Sequence, residues 1–128
     1  MSYQKRHNSP GYVYIAGSRS AKLLKIGTAI DIEQRARNLR NQVYGGIRDW
    51  VMLFTAKVEN GGKTEREAIR QLQAYRVRQT YNKDGSDQEA GEMLKTSFTK
   101  AIKAMASAIG DEGAHELWKS PLWKDYEF

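Results

Sequence analysis

Cysteine is absent from the 128-residue chain, which excludes disulfides, thiolate metal sites and a cysteine nucleophile. Histidine occurs only twice, as His7 and His115 near opposite ends, which argues against a histidine-based triad or a paired-histidine metal site. No apolar run approaches the roughly 18 residues of a membrane span, and Met1 to Gly11 is polar and charged, unlike a secretory leader. Internal repeats and low-complexity tracts are also missing. These absences lead to the expectation of a cytoplasmic protein without a membrane partner.

What is present is positive charge on a chain of single-domain size. Lys and Arg number 21 against 15 Asp and Glu, a formal charge of +6, and 40% of the residues are hydrophobic. One modest core is therefore expected, and a polyanion such as nucleic acid is the partner that the charge favours. A basic surface without such a partner would give the same count. Three segments are expected: a flexible arm over 1–10, a main domain over 11–110, and a C-terminal helix and aromatic tail over 111–128.

Periodicity organises the main domain. Tyr12 to Ala16 and Lys22 to Thr28 alternate with period two around the turn-forming "GSRS", which predicts a β-hairpin. Setting Val13 opposite Ile26 and Ile15 opposite Leu24 gives one apolar face, and it puts Tyr14 opposite Lys25 and Tyr12 opposite Gly27 on the other. Asp31 and Gln34 then suggest a capping box for a helix whose apolar stripe is Ile32, Ala36 and Leu39. Arg35 borders that stripe, leaning toward the sheet, while Arg37 and Arg40 add charge to the same helix on what is also readable as an ordinary solvated face.

After the turn "NQVYGGIRD", the largely apolar "WVMLFTAKV" from Trp50 to Val58 predicts a third strand in the middle of the sheet. A second helix is expected from a Thr64/Glu67 capping box, with Ala68, Ile69, Leu72 and Tyr75 buried. Wheel geometry then puts Glu65 in the buried stripe and Glu67 on the opposite side. An acid on a core face needs a reason, and a frayed first turn complemented by the helix dipole is the plain one. "RQTYNKDGSD" reads as a polar loop. A third helix is expected after it, capped by Ser86 and Glu89, with a core stripe of Leu94, Phe98, Ala101, Ile102, Met105 and Ile109 that ends at Gly110.

The ordered set "GYVYI", "KIG", Arg35 ten residues after Lys25, and "EREAIRQLQAYRV" from Glu65 to Val77 resembles the GIY-YIG nuclease superfamily, in particular its phage and bacterial branch with KIG as the second motif. "GEML" from Gly91 to Leu94 resembles a further motif of that branch. The resemblance covers about residues 11 to 95. It implies a mixed α/β (α+β) fold with a small three-stranded antiparallel sheet flanked by helices, and metal-dependent cleavage of phosphodiesters in DNA, with RNA left open. It also implies Tyr14, Lys25, Arg35 and Glu65 as catalytic residues, with Glu65 the ligand of Mg²⁺ or Mn²⁺. Lys25 stands where the superfamily has a tyrosine, Ile69 where the branch often has histidine, and the late asparagine of many members has no secure match, Asn82 being the candidate counterpart.

Chemistry independent of the name fits this set. A phosphodiester repels nucleophiles, so hydrolysis needs a base for water, a cation at the non-bridging oxygens and help for the leaving alkoxide. A free phenol titrates near about 10, so Tyr14 as base calls for a cationic neighbour, and Lys25 across the hairpin is one. The planar Arg35 fork suits phosphate oxygens, and Glu65 suits a largely hydrated Mg²⁺. Tyr12, Arg37, Arg40 and Arg70 are the expected nucleic-acid contacts. Two rival readings remain: a catalytically idle nucleic-acid-binding module, and a protein-interaction subunit or homo-oligomer docking through Trp118, Trp123, Tyr126 and Phe128.

Overall fold

A computed structural model describes residues 10–128, with side chains described at all of these positions except 79, 83, 87–92 and 112. The arm expected over 1–10 thus lies outside the described residues apart from Pro10. Among the described residues the fold is mixed α+β, with one antiparallel open sheet and three α-helices. Its strands are β1 (Gly11–Ser18), β2 (Leu23–Ala29), β3 (Val51–Val58), β4 (Arg76–Lys83), β5 (Ser86–Leu94) and β6 (His115–Lys119). The helices are α1 (Ile32–Asn41), α2 (Gly61–Gln71) and α3 (Phe98–Ile109). In the strand order β4-β5-β2-β1-β3-β6, the expected third strand is interior, between β1 and β6, but β1, not β3, is the strand flanked by the other two expected ones. The sheet has six strands, however, not three.

Alternation along β1 and β2 separates two cores, one on each sheet face. Val13, Ile15, Leu24 and Ile26 join Phe54, Ala56 and Val58 of β3 beneath α2 and α3, where Ala68, Leu72, Phe98, Ala101 and Met105 meet them. Burial of the larger of these side chains contributes roughly 1.5–3 kcal/mol each. On the opposite face Tyr14, Ala16 and Leu23 join Leu39 of α1, together with Ile47, Trp50 and Met93. No helix among the described residues is long and apolar enough to cross a membrane.

Several expectations need correction. The β1–β2 hairpin pairs Tyr14 with Gly27, Ile15 with Ile26 and Ala16 with Lys25, two residues away from the register expected, although every side chain keeps its face. The Asp31 carboxylate caps α1 by accepting from the Gln34 N–H at 3.0 Å. In α2 it is Asn60, not Thr64, that caps, accepting from the Lys63 N–H at 3.2 Å. Thr64 is buried inside the helix, and its hydroxyl donates back to the Asn60 carbonyl.

The supposed loop and the start of the third helix form the β4–β5 hairpin instead. Its two-residue turn, Asp84 and Gly85, has positive φ at both positions, the geometry Asp-Gly favours. Gly91 and Leu94 of "GEML" accordingly lie in β5, and α3 starts only at Phe98, capped by Ser97. Beyond α3 the chain adds an edge strand, β6, beside β3. A short 3₁₀ turn, Trp123–Tyr126, follows. Tyr126 is buried against Gly17, where a Cβ would meet its ring at 2.6 Å.

Candidate functional site

The centre of the site is the sheet face shared by β1, β2 and α1. Tyr14 is 1% exposed, and its ring reaches across to β2 and lies on Gly27. A Cβ built on Gly27 would collide with the Tyr14 hydroxyl and come within 2.6 Å of Cζ and 2.9 Å of Cε2. A side chain there would deny the phenol its place, so the glycine of "KIG" acts through the space it leaves. Among the described residues the one wholly buried side-chain polar atom without a hydrogen-bond partner is Thr96 Oγ1. Among the described residues, no hydrogen bond is formed by the Tyr14 hydroxyl.

Lys25 is 6% exposed, on the same face. Burying an ammonium is costly without compensation, and here two aromatic faces receive it: Nζ lies 5.4 Å from the Tyr14 ring centroid and 4.9 Å from that of Tyr44. Contacts of this kind stabilise by about 0.5–2 kcal/mol each. The backbone around Tyr44 holds it there. Val43 and Gly45 have φ of 52° and 66°, and the Trp50 indole N–H donates to the Tyr44 carbonyl at 3.0 Å. Tyr44 and Trp50 went unrecognised in the sequence, where "VYGG" and the tryptophan look like an ordinary turn and a strand start.

Arg35 lies half-buried on α1, whose Leu39 packs into the same core as Tyr14. Arg37 and Arg40 are exposed. Among the described residues no carboxylate pairs with these three guanidinium groups, so their charge is open to a ligand. Tyr12 differs. Its hydroxyl donates to Glu116 at 3.1 Å, which, with the nearby negative charge, raises the phenol above its ordinary range.

Glu65 is half-buried on α2, the helix that covers the other face of the sheet. Thr28, which directly follows Gly27 and points to the opposite face, lies under α2: a Cβ on Gly61 would touch its side chain at 3.4 Å. Glu65 stands one turn further along that helix, on the side that continues to Ala68 and Leu72. Glu67 points elsewhere. It accepts from Arg70 at 2.9 and 2.7 Å and from Gln71 at 3.3 Å, and these bonds hold its carboxyl down at about 2. Arg70 is thereby tied to Glu67. Asn82 is exposed on β4, lining a surface cavity of about 290 Å³ with Asn41, Gln42, Val43, Arg48 and Asp84.

No group of three or more His, Cys, Asp or Glu side chains that could hold a metal occurs among the described residues. A preformed protein cage is thus not offered by them. Mg²⁺ is often held by only one or two carboxylates, the remaining positions being water and substrate phosphate. Glu65 fits that donor set.

The sequence profile of the T5orf172 domain matches residues 11–109. The chain belongs to this family. T5orf172 domains are found in phage and bacterial nuclease-like proteins, often related to the GIY-YIG group. No curated protein matches the chain, and no solved structure does. Tyr14, Lys25, Arg35 and Glu65 all fall within the T5orf172 match, whereas β6 and the 3₁₀ turn after it lie beyond.

Proposed function

We propose that this T5orf172 protein is a metal-dependent endonuclease of GIY-YIG type, hydrolysing phosphodiester bonds in DNA with Tyr14, Lys25, Arg35 and Glu65. The observation that supports this best is the Tyr14 phenol, packed over Gly27 with a lysine against its ring and its hydroxyl without a hydrogen-bond partner among the described residues. A tyrosine serving only the core would have its hydroxyl satisfied by the protein. In this reading Tyr14 takes the proton of the attacking water, with the Lys25 ammonium lying against its ring. Arg35 binds the non-bridging oxygens of the scissile phosphate through its planar fork. Glu65 is the carboxylate that would hold Mg²⁺ or Mn²⁺, which when bound supplies Lewis-acid stabilisation of the phosphoryl and leaving oxygens.

A DNA-binding module without hydrolysis is the second reading, favoured by the 1% exposure of Tyr14 and by a lysine at the second motif. Incubation with supercoiled plasmid in Mg²⁺ or in EDTA separates the two. Nicking in Mg²⁺ alone is expected. Glu65→Ala should abolish it with DNA binding retained, and Glu67→Ala should leave it nearly intact. A wild-type protein that binds DNA but nicks it with neither Mg²⁺ nor Mn²⁺ overturns the nuclease reading, as does a Glu65→Ala protein that nicks at the normal rate.

A further inference from the structure

Strand β6 extends the face that carries Tyr14. Tyr14 pairs directly with Thr55, and Thr55 with Trp118, so the three residues form one row across three strands. Trp118 is therefore two strand spacings of about 4.8 Å from Tyr14, a span of some three stacked nucleotides at about 3.4 Å each. Thr55 between them is buried, whereas Trp118 is 47% exposed. Glu116, within the bulge of β6 before Trp118, accepts from Tyr12 and lies 3.8 Å from Lys57 on this side. The residue after Trp118 fixes the face independently. Lys119, one residue after, lies 4.9 Å over the Trp123 ring, which stacks on Phe98 of α3 on the other side.

We infer that Trp118 is a stacking platform for an unpaired base of a nucleic-acid strand whose backbone runs past the Tyr14 site. The inference rests on the nucleic-acid-binding part of the reading above and is independent of hydrolysis. An indole face open to solvent on a sheet surface is suited to a base, because every base offers a π-face. Charge assigns the two parts of the strand. Glu116 offsets Lys57 beside Trp118, so this end of the face attracts no phosphate, while Arg35, Arg37 and Arg40 on α1 remain open to the backbone. The platform lies outside the T5orf172 match and is a feature of this chain's own C-terminal strand.

The test is fluorescence anisotropy in EDTA, where no metal-dependent cleavage occurs, with labelled single-stranded DNA, single-stranded RNA and duplex DNA of equal length. Trp118→Ala and Trp118→Met should weaken single-strand binding on the order of 5–100-fold and change duplex binding less than about twofold. Trp118→Phe, which keeps an aromatic face, should restore most of the affinity. Because stacking releases no counterions, the ratio of mutant to wild-type affinity should stay constant between low and moderate salt. The DNA and RNA arms tell which strand the platform takes. Unchanged single-strand binding in Trp118→Met, equal losses for single strand and duplex, or a dimer that becomes monomeric in Trp118→Ala with affinity intact would overturn the platform. Failure of plasmid nicking with the Trp118 effect intact would remove the nuclease reading alone.

Discussion

Adding one methyl group at Gly27 tests how Tyr14 is held. A Cβ there comes within 2.6 Å of Cζ and 2.9 Å of Cε2, and closer still to the hydroxyl. Carbon atoms rest at about 3.5–4.0 Å, so the ring must retreat by about 1 Å. It has little freedom to do so, being 1% exposed with the Lys25 ammonium against it. Overpacking of this kind costs about 1–3 kcal/mol, offset by the roughly 0.5–1 kcal/mol that alanine gains over glycine inside a strand. Gly27→Ala should therefore lose about 1–2 kcal/mol in urea unfolding. A catalytic group displaced by about 1 Å loses rate on the order of 10²-fold, so nicking should fall by that factor while DNA binding stays close to normal. In a double-mutant cycle Tyr14→Phe, which removes the atom most crowded, should relieve part of the cost of Gly27→Ala, with a coupling of about 1 kcal/mol. Gly61→Ala is the control, because its Cβ meets Thr28 at an ordinary 3.4 Å. Additive effects in the cycle, or a Gly27→Ala protein as stable and active as wild type, would refute the placement of Tyr14 over Gly27.

Asp49 ties the β1–β2 turn to the start of β3. Its carboxylate accepts from the Ser18 hydroxyl at 2.6 Å and from the Ser20 hydroxyl and N–H at 3.0 Å each. Burial alone pushes the Asp49 carboxyl up, but these bonds outweigh it and leave it below its ordinary value. The stabilisation is thus present above the unfolded value of about 3.9 and lost as pH falls through the folded one. Asp49→Ala should cost about 1–2 kcal/mol near pH 7, with the difference from wild type closing as unfolding is measured in increasingly acidic buffer. Arg37→Ala and Arg40→Ala should each weaken duplex DNA binding with little sequence preference and reduce the slope of log affinity against log salt by about 1. Unaltered slopes in both would remove α1 from the phosphate contacts.

The hairpin faces were legible in the sequence because a strand's period of two has no alternative once Val13, Ile15, Leu24 and Ile26 must be buried together. Its register was not, because sliding the pairing by two residues preserves every face. The turn decides it, and the turn is held by Asp49, some thirty residues away in the chain. The β4–β5 hairpin shows the opposite failure. Its Asp84-Gly85 turn signal was present, yet its flanks are polar with no apolar alternation, so a loop was the natural reading. Strand β6 is exposed along its whole length and carries no burial pattern at all. In the candidate site, the strand period placed Tyr14 and Lys25 on one face and helix phase placed Arg35 beside the apolar stripe, while their proposed roles come from the resemblance alone. The aromatic ring of Tyr44 over Lys25 depends on left-handed backbone at Val43 and on a bond from Trp50, neither of which has a sequence signature of its own.

Lys25 makes the connection between these elements concrete. It alternates with Leu24 and Ile26, so the pleat alone sends it to the Tyr14 face, and the same pleat sends Gly27 to that face. Neither consequence depends on the hairpin register being set first, since both registers leave Lys25 and Tyr14 on one side. The correct register adds a division of labour between adjacent positions. Gly27 opposite Tyr14 yields the space for the ring, and Lys25, diagonal to it, supplies charge against the ring's face. A lysine directly opposite Tyr14 would have occupied the space that the ring now fills. A "KIG" motif can therefore place a cation and a vacancy on one face only because a single apolar residue, Ile26, separates them and points into the other core.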